Sequence, residues 1–491
     1  MSSPVRNIVA LLLLALAVRL SLALLVPIDL AGDESYYWEW GRHPDIGYFS
    51  KPPLIGWLMA LLIAVGADTE TGIRLTAALL GTVSLALLVQ VAKVLFDARV
   101  ALRAGALLAL APLALPSNLL LTIDSPLLTC WAAALLAGWH VATGTTNTIR
   151  WRTLLAISLM LGVLAKQIML AFPLLWILWL MLCREHRHRL RDPWLWLVLA
   201  MPLVALLPSA WWNMHENWVT LEHTASHFEA AAWTLERAAG WFAQYVVSQG
   251  VLWGPVAMGV GLAALWRQSR DPSRTWSSSA GYLFALSAPA LAVVTVLALR
   301  QEILPNWPAV FWLPVMILAA AHLSPRQGFW ALATSGGLQL VLVVVVLLAP
   351  WLAAERNPVA RVMGWDSLAQ VVYRIDRQQW PDRANIEARR DIIVYGHRYY
   401  ASSLAFYHPE RPFVRVFQAD DSVRTQYGIW HRRFPPRQAE TLLVVPGESG
   451  ALPAELTNRW RCVESLGTHS SIISGGGTRR VTLWRVTHCG A

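Results

Sequence analysis

From residue 8 to residue 352 apolar runs recur along the chain, separated by short polar stretches. A segment that crosses about 30 Å of hydrocarbon needs roughly 17–25 residues. The pattern predicts crossings at 6–27, 71–95, 104–117, 126–143, 153–166, 168–183, 193–212, 241–266, 279–299, 308–323 and 329–352, several of them short or broken. The run 53–66 is short for a span and is expected in the interface. "IVALLLLALAVRLSLALLV" has no small-residue cleavage site behind it and reads as a retained helix. Beyond residue 353 the runs shorten. "RDIIVYG" and "TLLVVPG" have the form of buried strands closed by Gly, and "YYASSLAFY" between them has helical character. The expected fold is a polytopic α-helical membrane protein of about 11–13 helices, residues 1–352, followed by a small α/β domain outside the membrane, residues 353–491.

Composition agrees. Of 491 residues, 56% are hydrophobic and only 14% charged, where soluble domains carry roughly 25% charge. Mean hydropathy is +0.45. The positive-inside rule orients the spans. Basic residues concentrate in alternate loops: Arg6; Lys93, Arg99 and Arg103; Arg150 and Arg152; Arg184, Arg187, Arg189 and Arg191; Arg267, Arg270 and Arg274; Arg326. These loops are expected inside. The loops 28–52, 117–125, 166–168, 213–240, 300–307 and everything after 352 are expected outside. The net charge of +10 is spread over the inner loops and the terminal domain. It points to contact with anionic membrane lipids and not to nucleic acid.

By this parity the unusual polar residues fall on the outer face: Asp33, Glu34, Lys51, Asp124, Lys166, Glu222, His223, His227 and Glu302. Acids contribute little to orientation, so their clustering argues for a polar site there. The densest stretch is "GDESYYWEWGRHPDIGYFSKPPLIGW", residues 32–57. Its aromatics, Tyr36, Tyr37, Trp38 and Trp40, are expected to pack an interface-lying helix behind the two acids. Pro52 and Pro53 stiffen the chain after Lys51. The protein has only three lysines, and Lys51 and Lys166 are two of them. Cys130 and Cys183 read as packing residues. Cys462 and Cys489 share the terminal domain, where an outer compartment permits either a bridge or two thiols.

The stretch 32–57 resembles the first outer loop of polyprenyl-phosphate-dependent glycosyltransferases of the protein-mannosyltransferase superfamily, which have the membrane-embedded GT-C fold. The likeness is strongest to the bacterial lipid A aminoarabinose transferases. "LLLTIDSPLLTCWAAAL", "LGVLAKQIMLAF", "ILPNWPAVFWLP", "GHRYYASSLAFYHPERP" and "RTQYGIW" extend it over nearly the whole chain. The resemblance implies a sugar donor carried on a lipid phosphate, usually undecaprenyl phosphate in bacteria. It also implies an acceptor in the cell envelope (lipid A, another glycan or lipid, or a protein) and inversion at the anomeric carbon. It implies an inner-membrane enzyme with its site and terminal domain on the periplasmic side.

Displacement at an anomeric carbon needs a base for the acceptor proton and cations for the departing phosphate. Asp33 matches the family's first-loop acid and is assigned as base; the plain alternative is a wetted loop acid. Glu34 would orient Asp33 or cap the following helix. Lys51 matches the phosphate-binding lysine, against an interface-snorkelling role. Arg74 would be a second phosphate ligand or an interface anchor, and Lys166 a third cation. Asp124 matches the second-loop acid; alternatively it is the N-cap of the helix that "DSP" starts. Tyr36, Tyr37, Glu302, Gln426 and Tyr427 are candidates for holding the sugar or acceptor, with packing as the alternative for Gln426 and Tyr427. His223 and His227 stand at i, i+4 with Glu222 beside them, a spacing that suits a divalent metal (Zn, Mg or Mn). In the aminoarabinose transferases an acid directly before the lysine shares a zinc with a loop histidine; here that position is Ser50. A transporter or flippase for lipid-linked sugars would gather its acids near the bilayer midplane. A non-catalytic assembly subunit would tolerate loss of Asp33.

Overall fold

The structure, a computed structural model, describes all residues except 1–2, 145–147, 227, 229–232, 272–274, 382–389, 421, 436–439, 449–450, 458, 461, 474–476 and 488–491. Among the described residues seven helical segments are long and apolar enough to cross a membrane: Pro4–Leu25, Glu70–Leu95, Asp124–Thr143, Thr148–Ala165, Pro193–His215, Ser279–Ala298 and Pro325–Trp351. Shorter apolar helices are Leu54–Ala64, Gln167–Leu182 and Ala309–His322. The first of these is the segment expected in the interface.

Local sequence sets the ends. The Thr69 side chain accepts from Gly72 N–H at 3.1 Å and starts α4, Glu70–Leu95. Asp97 accepts from Arg99 and Val100 N–H at 2.7 and 2.8 Å and starts α5, Ala98–Leu110. Helix α7, Asp124–Thr143, ends at Gly144 in the left-handed conformation, φ 71°. Such side-chain caps satisfy orphan helix donors, and glycine is the residue that reaches positive φ without strain.

Two expected spans differ. The single crossing 241–266 is a pair, Leu235–Trp253 and Pro255–Arg270, bent by 108°. Gly254 at φ 82° turns the chain and Pro255 has no N–H with which to continue the first helix. The crossing 104–117 is likewise divided: α5 stops at Leu110 and α6, Ala114–Leu119, follows across Pro112.

The loops expected on one side bind one another. Arg152 pairs with Asp192, Arg103 donates to Leu323 O at 3.4 Å, and Arg189 donates to Ala142 O at 3.2 Å. These contacts join the Arg-rich loops.

On the other side, α2 (Gly32–Arg42) packs into the terminal part of the chain. A five-stranded sheet of order β2-β1-β3-β5-β4 lies there. Strands β1 (Arg390–Val394), β2 (Val414–Val416) and β3 (Glu440–Pro446) are parallel, while β5 (Thr478–Thr487) runs antiparallel to β3 and β4 (Cys462–Ile472) to β5. The two expected strands are β1 and β3, and the expected helix is Arg398–Tyr407. Cys462 is disulfide-bonded. Cys489, the other cysteine of the terminal domain, lies outside the described residues. The aromatics of α2 are not laid on the membrane interface. Trp38 meets Phe406 edge-on at 5.1 Å, Tyr36 stacks on Tyr427 at 5.9 Å, and both belong to one core with Trp365 and Trp430. Burial in protein gives these rings partners on every side, which a half-wet interface cannot.

Candidate active site

Asp33 lies in the first turn of α2. Its carboxylate Oδ1 accepts the Tyr399 hydroxyl at 2.9 Å and stands 3.7 Å from the Arg398 guanidinium. Its Oδ2 accepts no hydrogen bond from a described residue, and the side chain is 46% exposed. The chain comes this close because residue 32 is glycine: a Cβ there would stand 2.4 Å from the Tyr399 ring. Arg398 lies over both Tyr36 and Tyr399, at 5.0 and 4.7 Å from the ring centres. The aromatic faces hold the cation in place.

Asp124 opens α7, yet it does not cap it. The cap position is Ile123. The Asp124 carboxylate instead receives Lys166 Nζ on Oδ1 at 2.8 Å and Asn306 Nδ2 on Oδ2. Lys166 comes from the turn before the helix Ala171–Leu182 and Asn306 from the loop before Ala309–His322. Lys51 makes no hydrogen bond or close ion pair with a described residue. Burial holds its ammonium below the ordinary lysine value; Lys166 and Arg398 add to this, and Asp33 and Asp124 oppose it. Lys51 thus lies within reach of the charges of Asp33, Asp124, Lys166 and Arg398. Five separate segments, 28–52, 117–125, 166–168, 300–307 and the terminal part, supply this cluster with Asn306. Asn306, Arg398 and Tyr399 were not singled out from the sequence, although the segments that carry them were.

Several expected site residues are used otherwise. Glu34 is fully buried: Oε2 accepts from Ala31 N–H and Oε1 from Leu121 N–H, each at 2.9 Å. It caps α2 and ties residues 28–52 to 117–125. Burial pushes its carboxyl up to about 7, the two backbone donors and Arg74 acting against this. Arg74 is buried with its guanidinium on Ile28 O and Glu70, so it anchors the chain and is not brought to Lys51. Tyr36 and Tyr37 are core residues. The Tyr36 hydroxyl accepts from Gln426 N–H at 2.8 Å, and Gln426 Oε1 accepts from Phe49 N–H at 2.8 Å. Gln426 and Tyr427 are buried, so packing and docking is their role and no sugar face is offered. The reason is that Gln426 meets a backbone donor that would otherwise be orphaned. Glu302 is exposed and accepts from Gln244 at 2.8 Å, apart from the Asp33 cluster.

Glu222 is exposed and the His223 ring lies 4.9 Å from Phe49; His227 lies outside the described residues. Among the described residues no three His, Cys, Asp or Glu side chains gather at metal-binding distance. The described donors alone fall short of a metal site.

The family model for dolichyl-phosphate-mannose-protein mannosyltransferases matches residues 50–212, which include Lys51, Asp124 and Lys166. The lipid A galacturonosyltransferase RgtD of Rhizobium johnstonii is 26% identical over 327 residues, 66% of this chain and 67% of that one. This chain is a membrane glycosyltransferase, similar to the protein-mannosyltransferase superfamily. The fold of this glycosyltransferase is that of ArnT from Cupriavidus metallidurans, solved apo and bound to undecaprenyl phosphate. The TM-score is 0.58 for both, with 18% and 17% identity, covering 97% and 98% of this chain and 97% of each ArnT chain. The archaeal oligosaccharyltransferase AglB from Archaeoglobus fulgidus, in complex with an inhibitory peptide and a dolichol-phosphate, is also similar. Its TM-score is 0.50 at 12% identity, over 89% of this chain and 69% of AglB. These two likenesses speak for the GT-C fold, a helical membrane body with a terminal sheet-bearing part.

Proposed function

We propose that this glycosyltransferase moves one sugar from a polyprenyl phosphate to a lipid A-type envelope acceptor, at the periplasmic face of the bacterial inner membrane. The similarity to RgtD supports the acceptor class. The observation that carries the mechanism is the pairing of an open Asp33 Oδ2 with a hydrogen-bond-free Lys51 in one cluster.

The acceptor hydroxyl loses its proton to Asp33 as its oxygen attacks the anomeric carbon. The carbon–oxygen bond to phosphate breaks on the opposite face, and the electron pair leaves with the polyprenyl phosphate. Configuration inverts. An ionised Asp is available at neutral pH, and an in-line base contributes typically 10²–10⁴-fold. Lys51 and Arg398 hold the phosphate, with Lys166 contributing charge while it fixes Asp124. Asp124 is not the base in this scheme because Lys166 and Asn306 occupy both of its oxygens. The distribution of arginines supports the periplasmic orientation.

The test is deletion of the gene and mass spectrometry of envelope lipids, with complementation by wild type and by Asp33→Asn. One glycan mass should disappear on deletion, return with wild type and stay absent with the variant. An unchanged lipid A fraction alongside a changed protein or polysaccharide glycan would overturn the acceptor class. Full rescue by Asp33→Asn would overturn the base.

A further inference from the structure

An arginine lies inside the first membrane span. Arg19 of α1, Ser3–Leu25, is six residues below Leu25, about 9 Å along the helix. It is only 9% exposed. Among the described residues its one hydrogen-bond partner is Thr82 Oγ1 at 2.9 Å, and no carboxylate stands within ion-pairing distance. A guanidinium has five donors, and an ionisable group inside a span ordinarily has a partner.

Arg19 borders a groove of about 460 Å³ between α1, α5, α6 and α17, Pro325–Leu348. Leu14, Val18 and Leu340 give it apolar walls, and Asn118 and Gln339 give it the remaining polar groups. Gln339 has no hydrogen-bond partner among the described residues, although it too sits within a span. Two polar side chains from opposite walls therefore face one groove without protein partners enough to satisfy them. Removing a polar group from water is costly unless it is bonded. The chemistry that satisfies both walls is a hydrocarbon chain ending in oxygen acceptors with negative charge.

The groove is separate from the reaction cluster. Helix α1 packs on α4, α4 on α7, and α7 on α8 (Thr148–Ala165), the helix that leads to Lys166. One lipid phosphate cannot be at Arg19 and at Lys51 together. A cavity of about 50 Å³ continues from Arg19 past Asn118 to Ser125, beside Asp124. It has room for water and not for a sugar.

We propose that this groove is a site for one anionic phospholipid, held by its phosphodiester at Arg19 with an acyl chain along α1 and α17. The bound lipid is neither donor nor acceptor. It supplies the counter-charge that the protein omits, and guanidinium suits phosphate by its forked donors.

The test uses the full-length protein in nanodiscs of phosphatidylglycerol or phosphatidylcholine, followed by delipidation and native mass spectrometry. Wild type should retain one phosphatidylglycerol, with at least a tenfold preference over phosphatidylcholine, and should melt several degrees higher in the anionic discs. Arg19→Met should lose the preference and melt equally in both. Gln339→Leu, on a lipid-facing helix, should weaken retention several-fold and keeps the test open if Arg19→Met does not fold. Equal retention of the two lipids by wild type would overturn the proposal. So would retention of a polyprenyl phosphate in that place, or a preference that survives Arg19→Met.

Discussion

Tyr399 donates its hydroxyl to Asp33 across 366 residues of chain, at 2.9 Å. The bond leaves one carboxylate oxygen free among the described residues and fixes the other, so the proposed base is oriented by the terminal part of the protein. Asp33→Asn keeps the shape and removes the basicity. Turnover should fall by roughly 10²–10⁴-fold, with donor affinity within about threefold of wild type, measured on purified enzyme by product formation and by donor titration. Tyr399→Phe should cost far less, since the Asp33 side chain itself is retained. Near-normal turnover in Asp33→Asn would remove it from the reaction.

Lys51 and Arg398 should both govern donor binding. Lys51→Ala should weaken affinity for polyprenyl phosphate tenfold or more, and Lys51→Arg much less. The pH dependence has a definite sign. A phosphate binds the protonated lysine, and burial lowers the value at which Lys51 gives up its proton. Affinity should be full below that lowered value and should decline as pH rises through it, earlier than for an ordinary lysine. In Lys51→Arg the alkaline decline should vanish, because arginine stays charged. A wild-type affinity flat to high pH would contradict the phosphate role.

Gly32 is where backbone approaches the Tyr399 ring. Gly32→Ala forces a Cβ into a ring atom at 2.4 Å. The displaced tyrosine should release Asp33, so kcat should drop while the far ends of the protein melt normally. Wild-type kinetics in Gly32→Ala would refute the steric contact.

Glu34 predicts a stability profile. Its folded value of about 7 lies above the ordinary carboxyl value of 4.5, so the folded state holds the proton more tightly. Stability from this group is present at low pH and is lost as pH rises from about 4.5 through about 7. Burial pushes Asp29 up to about 6 and Glu39 up to about 7, which adds slopes of the same sign. Glu34→Gln should lack its share of the slope. It should also be less stable by about 1–3 kcal/mol, because an amide NH₂ then faces a buried N–H. Thermal unfolding of both proteins from pH 5 to pH 8 reads the difference.

Orientation is tested by cysteine labelling in a background without native cysteines. A reagent that does not cross the membrane should reach probes at Ser50 and the exposed Arg424, and not one at the exposed His188. Ser50 and Arg424 on opposite sides would contradict the convergence of the outer loops.

The membrane body was legible because hydrocarbon leaves the sequence little freedom: long apolar runs and arginine parity are read directly. The charged cluster was legible in part. Asp33, Lys51, Asp124 and Lys166 stand out as rare polar groups beside apolar runs. Asn306 and Arg398 do not, since one is an amide in a proline-rich loop and the other one arginine among many. Only the folded chain tells Arg398, held between two tyrosines, from Arg74, spent on a carbonyl. The aromatics of α2 misled for a related reason. A row of Tyr and Trp suits a membrane interface and a protein core equally well, and the sheet-bearing part that covers them lies more than 300 residues away. The kink at Gly254–Pro255 was readable from two letters, but the hydropathy on both sides masks it.

Gln426 has a bearing on how the molecule is made. Its side chain closes the hydrogen bond of Phe49 N–H, 377 residues upstream, and its own N–H rests on Tyr36. The ribosome completes the 28–52 segment long before residue 426 exists. Until then residues 28–52 lack the backbone partner and aromatic packing that the terminal part supplies, and neither Tyr399 nor Arg398 stands beside Asp33. The surroundings of Asp33 are therefore complete only when the last quarter of the polypeptide has folded back over the first.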